Sequence, residues 1–330
     1  MQPYARSFDQ PQLIVERMIH HVEKVIVGKR ETIKQAFVAM LSGGHILLED
    51  VPGVGKTMLI RAIARTIGCE FKRIQCTPDL LPSDVTGISM YNPKSGEFEF
   101  RPGPLMTHIV LADECNRTSP KTQAALLEAM EEKRITIDGV GYELPQPFLL
   151  LATQNPVDYE GTFPLPEAQL DRFMMKLRLG YPSMEHEVQM LERLQDRNPI
   201  EQLKPIIVQD EFVQLQQQTQ TIHVDDVLKQ FIVRLIAATR QHADIELGAS
   251  PRASYALMRA SQSLAFMQGR SYVIPDDIKE LAVPVLHHRL LLSAEARMTG
   301  KTGEMIMKGL IDSATLPTFR VGSVKKVGEL

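Results

Sequence analysis

LLEDVPGVGKT, residues 47–57, decides how this chain is read. A short apolar run leads into a turn carrying two glycines, and Lys56 and Thr57 then open the helical stretch TMLIRAIARTIG. The residue types suit a polyphosphate. Gly53 and Gly55 let successive backbone N–H groups turn inward, Lys56 reaches the terminal phosphates, and the Thr57 hydroxyl can ligate magnesium. The field at the N-terminus of the following helix adds to the attraction. One position departs from the G-x-x-x-x-G-K-[ST] pattern, because Asp50 stands where the first glycine is expected.

Working outward, four short apolar runs bounded by turn residues follow one another: HILLED, FKRIQC, HIVLADE and FLLLATQN, with MMKLRLG as a fifth candidate. Alternating with helical segments, they predict a parallel α/β sheet covered by helices on both faces. Helical spacing precedes the first run at residues 13–25 and 31–41. After about Pro182 the texture changes, and residues 183–195, 225–242, 251–267 and 275–292 are helical in pattern. The expected division is an α/β core with N-terminal helices over residues 1–200 and an all-helical lid with a tail over 201–330. The connector falls in the Pro-rich, polar stretch at 196–205. Two hairpin signals interrupt the core: SMYNPKSGEFEF turns at 93–96, and RITIDGVGYEL turns at Asp138 and Gly139. They read either as paired surface loops or as functional insertions.

Composition limits the partners. The 330 residues carry 37 lysines and arginines against 40 aspartates and glutamates, a net charge of −3, which argues against a broad nucleic-acid-binding face. Three cysteines without ligand spacing suggest neither a disulfide framework nor a zinc site. The adjacent histidine pairs His20–His21 and His287–His288 point to different helix faces, and so read as ordinary polar or capping residues. With no apolar run approaching the ~20 residues of a membrane span, the expectation is a soluble, cytoplasmic protein.

The catalytic parts come from several places. HIVLADE ends in Asp113, able to organise a magnesium water shell, and Glu114, able to polarise an attacking water. Asn155 ends another buried run and is either a turn residue or an amide that holds the lytic water. Arg172, in PEAQLDRF, either pairs with Asp171 at the surface or serves an adjacent subunit as an arginine finger. In SPRA, Ser250 and Pro251 are the expected N-cap and first helical residue, which places Arg252 in the first turn.

The ordered set of VGK at 27–29, PGVGKT, LADE, ATQN, LDRF and SPRA resembles the AAA+ ATPases, and LLEDVPGVGKT, DECNRTSPKTQAALLEAMEE and TQNPVDYEGTFPLPEAQLDRF look most like the MoxR family. The resemblance implies a five-stranded P-loop core with a helical lid, ATP and Mg2+ as cofactors, and a homo-oligomeric ring, usually a hexamer. It assigns Val27 and Gly28 to the adenine, Pro52, Gly53, Val54, Gly55, Lys56, Thr57 and Met58 to the nucleotide, and Thr57 and Asp113 to the metal. Lys56, Glu114, Asn155, Arg172 and Arg252 become the catalytic set, with Asn155 as sensor 1, Arg252 as sensor 2 and Arg172 as the trans-acting finger. Arg117 is a second candidate for intersubunit contact. Cys115 stands where the family carries an aliphatic residue. The implied function is remodelling or activation of a partner complex, with a protein client and a partner bearing a von Willebrand factor A domain. A DNA motor and a nucleotide-dependent scaffold with little turnover are the alternatives. Lys94, Arg101, Lys133 and Arg134 near the hairpins would favour the former, and the mild acidity weighs against it.

Overall fold

Each expected buried run becomes a strand of one parallel sheet. The computed structural model describes residues 10–154, 162–196 and 199–315. Two helices, α1 (Pro11–Glu23) and α2 (Arg30–Leu41), precede β1 (Ile46–Glu49), α3 (Lys56–Thr66), β2 (Phe71–Gln75) and the short α4 (Pro82–Thr86). A hairpin of β3 (Gly87–Asn92) and β4 (Glu97–Pro102) leads to β5 (Ile109–Asp113) and α5 (Pro120–Glu132). A second hairpin, β6 (Arg134–Ile137) and β7 (Val140–Glu143), precedes β8 (Leu149–Gln154), α6 (Glu167–Leu170), β9 (Met175–Leu177) and α7 (Met184–Asp196). The sheet order is β2-β5-β8-β1-β9, with every neighbouring pair parallel.

Side chains alternate across a strand, so a sheet covered on both sides must bury both sets. Ile46, Leu48, Ile109, Leu111, Leu149 and Leu151 enter the apolar cluster on one face. Leu47, Val110, Ala112, Leu150 and Ala152 enter the cluster on the other, packed on Leu126, Leu127 and Met130 of α5. Burial of each larger side chain contributes about 1.5–3 kcal/mol. The glycine-containing turn expected after β1 therefore lies at the carboxyl ends of the strands, beside the ends of β8 and β5.

The lid contains α8 (Gln209–Thr219), α9 (Asp226–Gln241), β10 (Ile245–Leu247), α10 (Pro251–Met267), α11 (Pro275–Leu286), β11 (Leu291–Leu292), α12 (Ala294–Met298) and α13 (Gly303–Ser313). It is helical except for the short antiparallel pair β10–β11, which lay in stretches of helical or unassigned pattern. Its helices share the first apolar cluster with the core: Phe37 and Leu41 of α2, Met175 of β9, Leu257 and Leu264 of α10, and Leu281 of α11 are all members. The glutamine-rich stretch at 214–220 falls largely within α8, where Leu215 is buried and Gln216 Nε2 donates to Met40 O at 2.6 Å. The connector after α7 packs on α3, with Ile200 and Ile207 buried and the Ile206 amide donating to Thr66 O at 2.8 Å.

Both hairpins form where the turns were expected. Gly96 at φ +73° closes the first, and Asp138 and Gly139, both at positive φ, close the second. Phe100 stacks on Tyr142 with ring centroids 4.0 Å apart, which joins the two hairpins. The histidine pairs are structural: His287 Nδ1 contacts Val283 O, His288 Nε2 contacts Phe173 O, and His21 contacts the Thr66 hydroxyl. Among the described residues no group of three or more His, Cys, Asp or Glu could hold a metal.

Candidate active site

The loop between β1 and α3 has the backbone a phosphate cradle needs. Gly53 and Gly55 have φ of +85° and +95°, and a Cβ at either would meet nothing within 4 Å. Glycine is thus required here by backbone conformation rather than by crowding. Lys56 is the first residue of α3, and its ammonium donates to the loop's own carbonyls, Asp50 O at 2.7 Å and Val51 O at 3.3 Å. Burial pushes its pKa below the ordinary lysine value, while Asp50, Asp113 and Glu114 act in the opposite direction. Thr57 is half-buried in the first turn of α3, and Pro52 is exposed at the tip.

Asp50, the departure from the glycine pattern, has a structural task. It is buried, and its carboxylate accepts the backbone N–H groups of Leu179 and Gly180, the latter at 3.1 Å and 3.2 Å. The start of the phosphate loop is thereby tied to the chain leaving β9. That chain continues into Tyr181 and Pro182, which line a cavity of about 420 Å³ beside the loop. Val27, Gly53, Val54, Gly55 and Met58 line it as well. Met190 and Arg193 of α7 close the far side, and Arg193 Nη1 donates to Glu23 O and Lys24 O at the end of α1. Gly28, at φ +70°, adjoins this cavity; an added Cβ would lie 2.1 Å from the His186 ring. The cavity is largely apolar, concave and continuous with the phosphate loop, which suits a planar base.

Asp113 and Glu114 stand at the end of β5. Thr153, on the neighbouring β8, holds both: its hydroxyl donates to Asp113 Oδ1 at 2.6 Å and accepts the Glu114 amide at 2.7 Å. Arg73 on β2 donates to the other oxygen, Asp113 Oδ2, from Nε at 2.9 Å and Nη2 at 2.6 Å. Glu114 has φ +57°, uncommon outside glycine, and its Oε2 accepts from Arg117 at 3.0 Å and Gln75 at 3.4 Å. Arg117, a candidate for intersubunit contact, is thus engaged within its own chain. Cys115 is buried in the second apolar cluster, where burial raises its thiol pKa, so it acts as a small apolar side chain. Asn155 lies outside the described residues.

Arg172 and Arg252 come together on one carboxylate, that of Glu131. Arg172 Nη1 pairs with Glu131 Oε2 at 2.8 Å and donates to Leu127 O at 3.1 Å, while Arg252 Nη2 pairs with Glu131 Oε1. Of the two readings of Arg172, the surface pair with Asp171 does not form. Asp171 instead accepts the Ser250 hydroxyl at 2.8 Å and the Arg289 guanidinium at 2.6 Å, because the lid packs directly over this segment. Ser250 caps α10 as expected, accepting the Arg252 amide at 3.1 Å, and Pro251 is the first helical residue.

Sequence reasoning passed over Thr153, Arg73, Glu131 and the α7 side of the cavity. Arg73 and Gln75 did leave a signal, since their spacing of two places them on one face of a strand.

A phosphate loop after the first strand, an acidic pair after the third and a helical lid over a 2-5-8-1-9 sheet together define an AAA+ ATPase fold. Residues 45–175 match the family described as "ATPase family associated with various cellular activities (AAA)", and residues 237–309 match the AAA lid domain. The chain is 40% identical over 323 residues to Chaperone MoxR1 of Mycobacterium tuberculosis, covering 95% of this chain and 85% of that protein. It is 30% identical over 321 residues to protein MoxR of Paracoccus denitrificans, covering 89% and 93%. The crystal structure of a candidate ATPase from Cytophaga hutchinsonii superposes with a TM-score of 0.87 at 40% identity, covering 93% of this chain and 96% of that one. The chain belongs to the MoxR family of AAA+ ATPases.

Proposed function

We propose that this chain is a magnesium-dependent ATPase that works as a homo-oligomeric ring, hexameric by family resemblance, to remodel or activate a partner protein complex. The carrying observation is the Thr153-bridged pair of Asp113 and Glu114 at the end of β5, two strands across the sheet from β1, whose following turn carries Lys56 at the start of α3. In this reading the base lies in the cavity formed by Val27, Gly53, Val54, Gly55 and Met58, next to Gly28. Lys56 exchanges the carbonyls of Asp50 and Val51 for the terminal phosphates, and backbone N–H groups around Pro52–Gly55 face the remaining oxygens.

The Thr57 hydroxyl and Asp113 carboxylate suit Mg2+, a hard cation that keeps most of its waters and is shared with phosphate rather than caged by protein. When bound, Mg2+ neutralises charge on the phosphates. Glu114 polarises the attacking water through a carboxylate that is accessible enough to exchange its Arg117 and Gln75 contacts. Asn155 orients that water or reads the γ-phosphate.

Arg172 serves the site of a neighbouring subunit, and Arg252, held on the same Glu131, acts from the lid as sensor 2. The chaperone name of the mycobacterial relative supports a protein client, and the family resemblance supports a separate partner with a von Willebrand factor A domain.

Mixed-subunit assays test this reading. Glu114→Gln and Arg172→Ala should each abolish most ATP turnover, and a mixture of the two should regain a share, because some interfaces then pair an intact Glu114 with an intact Arg172. A wild-type chain that hydrolyses no ATP at any concentration would overturn the proposal. A mixture no more active than its components would remove the trans role from Arg172.

A further inference from the structure

The edge strand β2 places a cation on the carboxylate that the ATPase reading assigns to the metal. The register sets Gln75 opposite Asp113 and Arg73 opposite Leu111, so Arg73 leans along the strand to reach the acidic end of β5. Its Nε and Nη2 both donate to Asp113 Oδ2, at 2.9 Å and 2.6 Å, while Thr153 occupies Oδ1 at 2.6 Å. Both oxygens of this carboxylate are therefore engaged. The two partners differ in mobility: the Arg73 side chain is 47% exposed and that of Asp113 only 11%. The guanidinium can swing into solvent, whereas the carboxylate is fixed by its strand and by Thr153.

We propose that Arg73 is a built-in counter-ion for Asp113 that sets the magnesium threshold of the site. A guanidinium cannot shed its charge by deprotonation, and its N–H groups claim the lone pairs that water molecules around Mg2+ need. Arg73 and the incoming dication thus compete for one oxygen. Arg73 offsets the negative charge that Asp113 and Glu114 place side by side at the end of β5. Arg73 Nη2 also donates to Gln75 Oε1, and Gln75 Nε2 donates to Glu114 Oε2, so departure of the arginine would remove one of the two bonds that orient this amide. The Arg117 contact to Glu114 Oε2 at 3.0 Å is independent of this chain of bonds and would hold the carboxylate through it.

This inference rests on the ATPase reading, and the experiment separates the two. Mn2+ binding to the full chain is followed by electron paramagnetic resonance with a saturating non-hydrolysable ATP analogue, while a fluorescent ATP analogue in EDTA reports nucleotide binding without metal. Arg73→Gln should tighten Mn2+ binding about 10-fold, the scale of one charge-assisted hydrogen bond partly offset by solvation, and leave metal-free nucleotide affinity unchanged. Arg73→Lys, which keeps the charge but loses the fork, should fall between wild type and Arg73→Gln. Unchanged or weaker Mn2+ affinity in a folded Arg73→Gln, judged by circular dichroism, would overturn the inference and leave the ATPase reading standing. Failure of the wild type to bind nucleotide in either assay would overturn both.

Discussion

Thr153 Oγ1 donates to Asp113 Oδ1 over 2.6 Å while accepting the amide of Glu114 over 2.7 Å, so one hydroxyl fixes the spacing of the whole acidic pair. Thr153 is 1% exposed, and no solvent can replace it. Thr153→Val preserves shape and removes both bonds. We expect ATP turnover to fall about 10-fold and unfolding free energy to drop by roughly 1–3 kcal/mol, with metal-free nucleotide affinity unchanged. Steady-state ATPase assays and urea denaturation check this, and Thr153→Ser should stay close to wild type in both.

Restoring the motif glycine should harm this protein. Asp50→Gly leaves the buried amide of Leu179 and the half-buried amide of Gly180 unpaired, at a cost of roughly 1–3 kcal/mol. It also loosens the chain carrying Tyr181 and Pro182 beside the cavity at the phosphate loop, so nucleotide affinity should weaken if that cavity holds the base as proposed. Thermal denaturation and fluorescent-nucleotide titration report the two effects separately.

Asp171 and Arg289 form a buried ion pair at 2.6 Å, and the arginine side chain is 2% exposed. Asp171→Ala strands the guanidinium on the carbonyls of Val285 and Phe173 and should destabilise the protein by about 3 kcal/mol. The double variant Asp171→Ala/Arg289→Met should recover much of that loss, since no buried charge then remains. Denaturant midpoints of the two variants decide it.

Acid should weaken the fold through His45. Its Nδ1 accepts the Leu150 amide at 2.9 Å and its Nε2 lies 3.1 Å from Met130 O, an arrangement that fits the neutral Nε2–H tautomer. Burial, helped by nearby Lys133, pushes its pKa down to about 4 from an ordinary 6.5. The unfolded chain then binds the proton first. Stability present above pH 6.5 is lost as pH falls toward 4, by roughly 3 kcal/mol across the window. Buried His288 is shifted in the same direction. Urea midpoints between pH 7.5 and about 4.5 should fall accordingly, and the His45 resonances should stay neutral at pH 6.

Local pattern carried much of the fold. HIVLADE and FLLLATQN gave β5 and β8 because strands buried on both faces read as continuous apolar runs, and Ser250–Pro251 marked the start of α10 through cap chemistry. The helix α8 was harder to see because its glutamines dilute the apolar stripe of Phe212 and Leu215. In the site, Gly53, Gly55 and Lys56 were legible because their spacing is local. Thr153 was not, since its role depends on the β5–β8 register, which no local pattern encodes. Glu131 was equally hidden: it is one acidic residue among several on α5, and only the folded lid brings Arg252 to it across 121 positions of sequence.

The stack of Phe100 on Tyr142 makes the two hairpins a single lever. Tyr142 pairs with Ile135 on β6, and β6 follows α5 after the single residue Lys133. The far end of that lever is therefore the last turn of α5, where Glu131 grips Arg172 and Arg252. A displacement of either hairpin would therefore reach the carboxylate that holds both arginines, which links the hairpins to that ion-pair cluster through contiguous contacts.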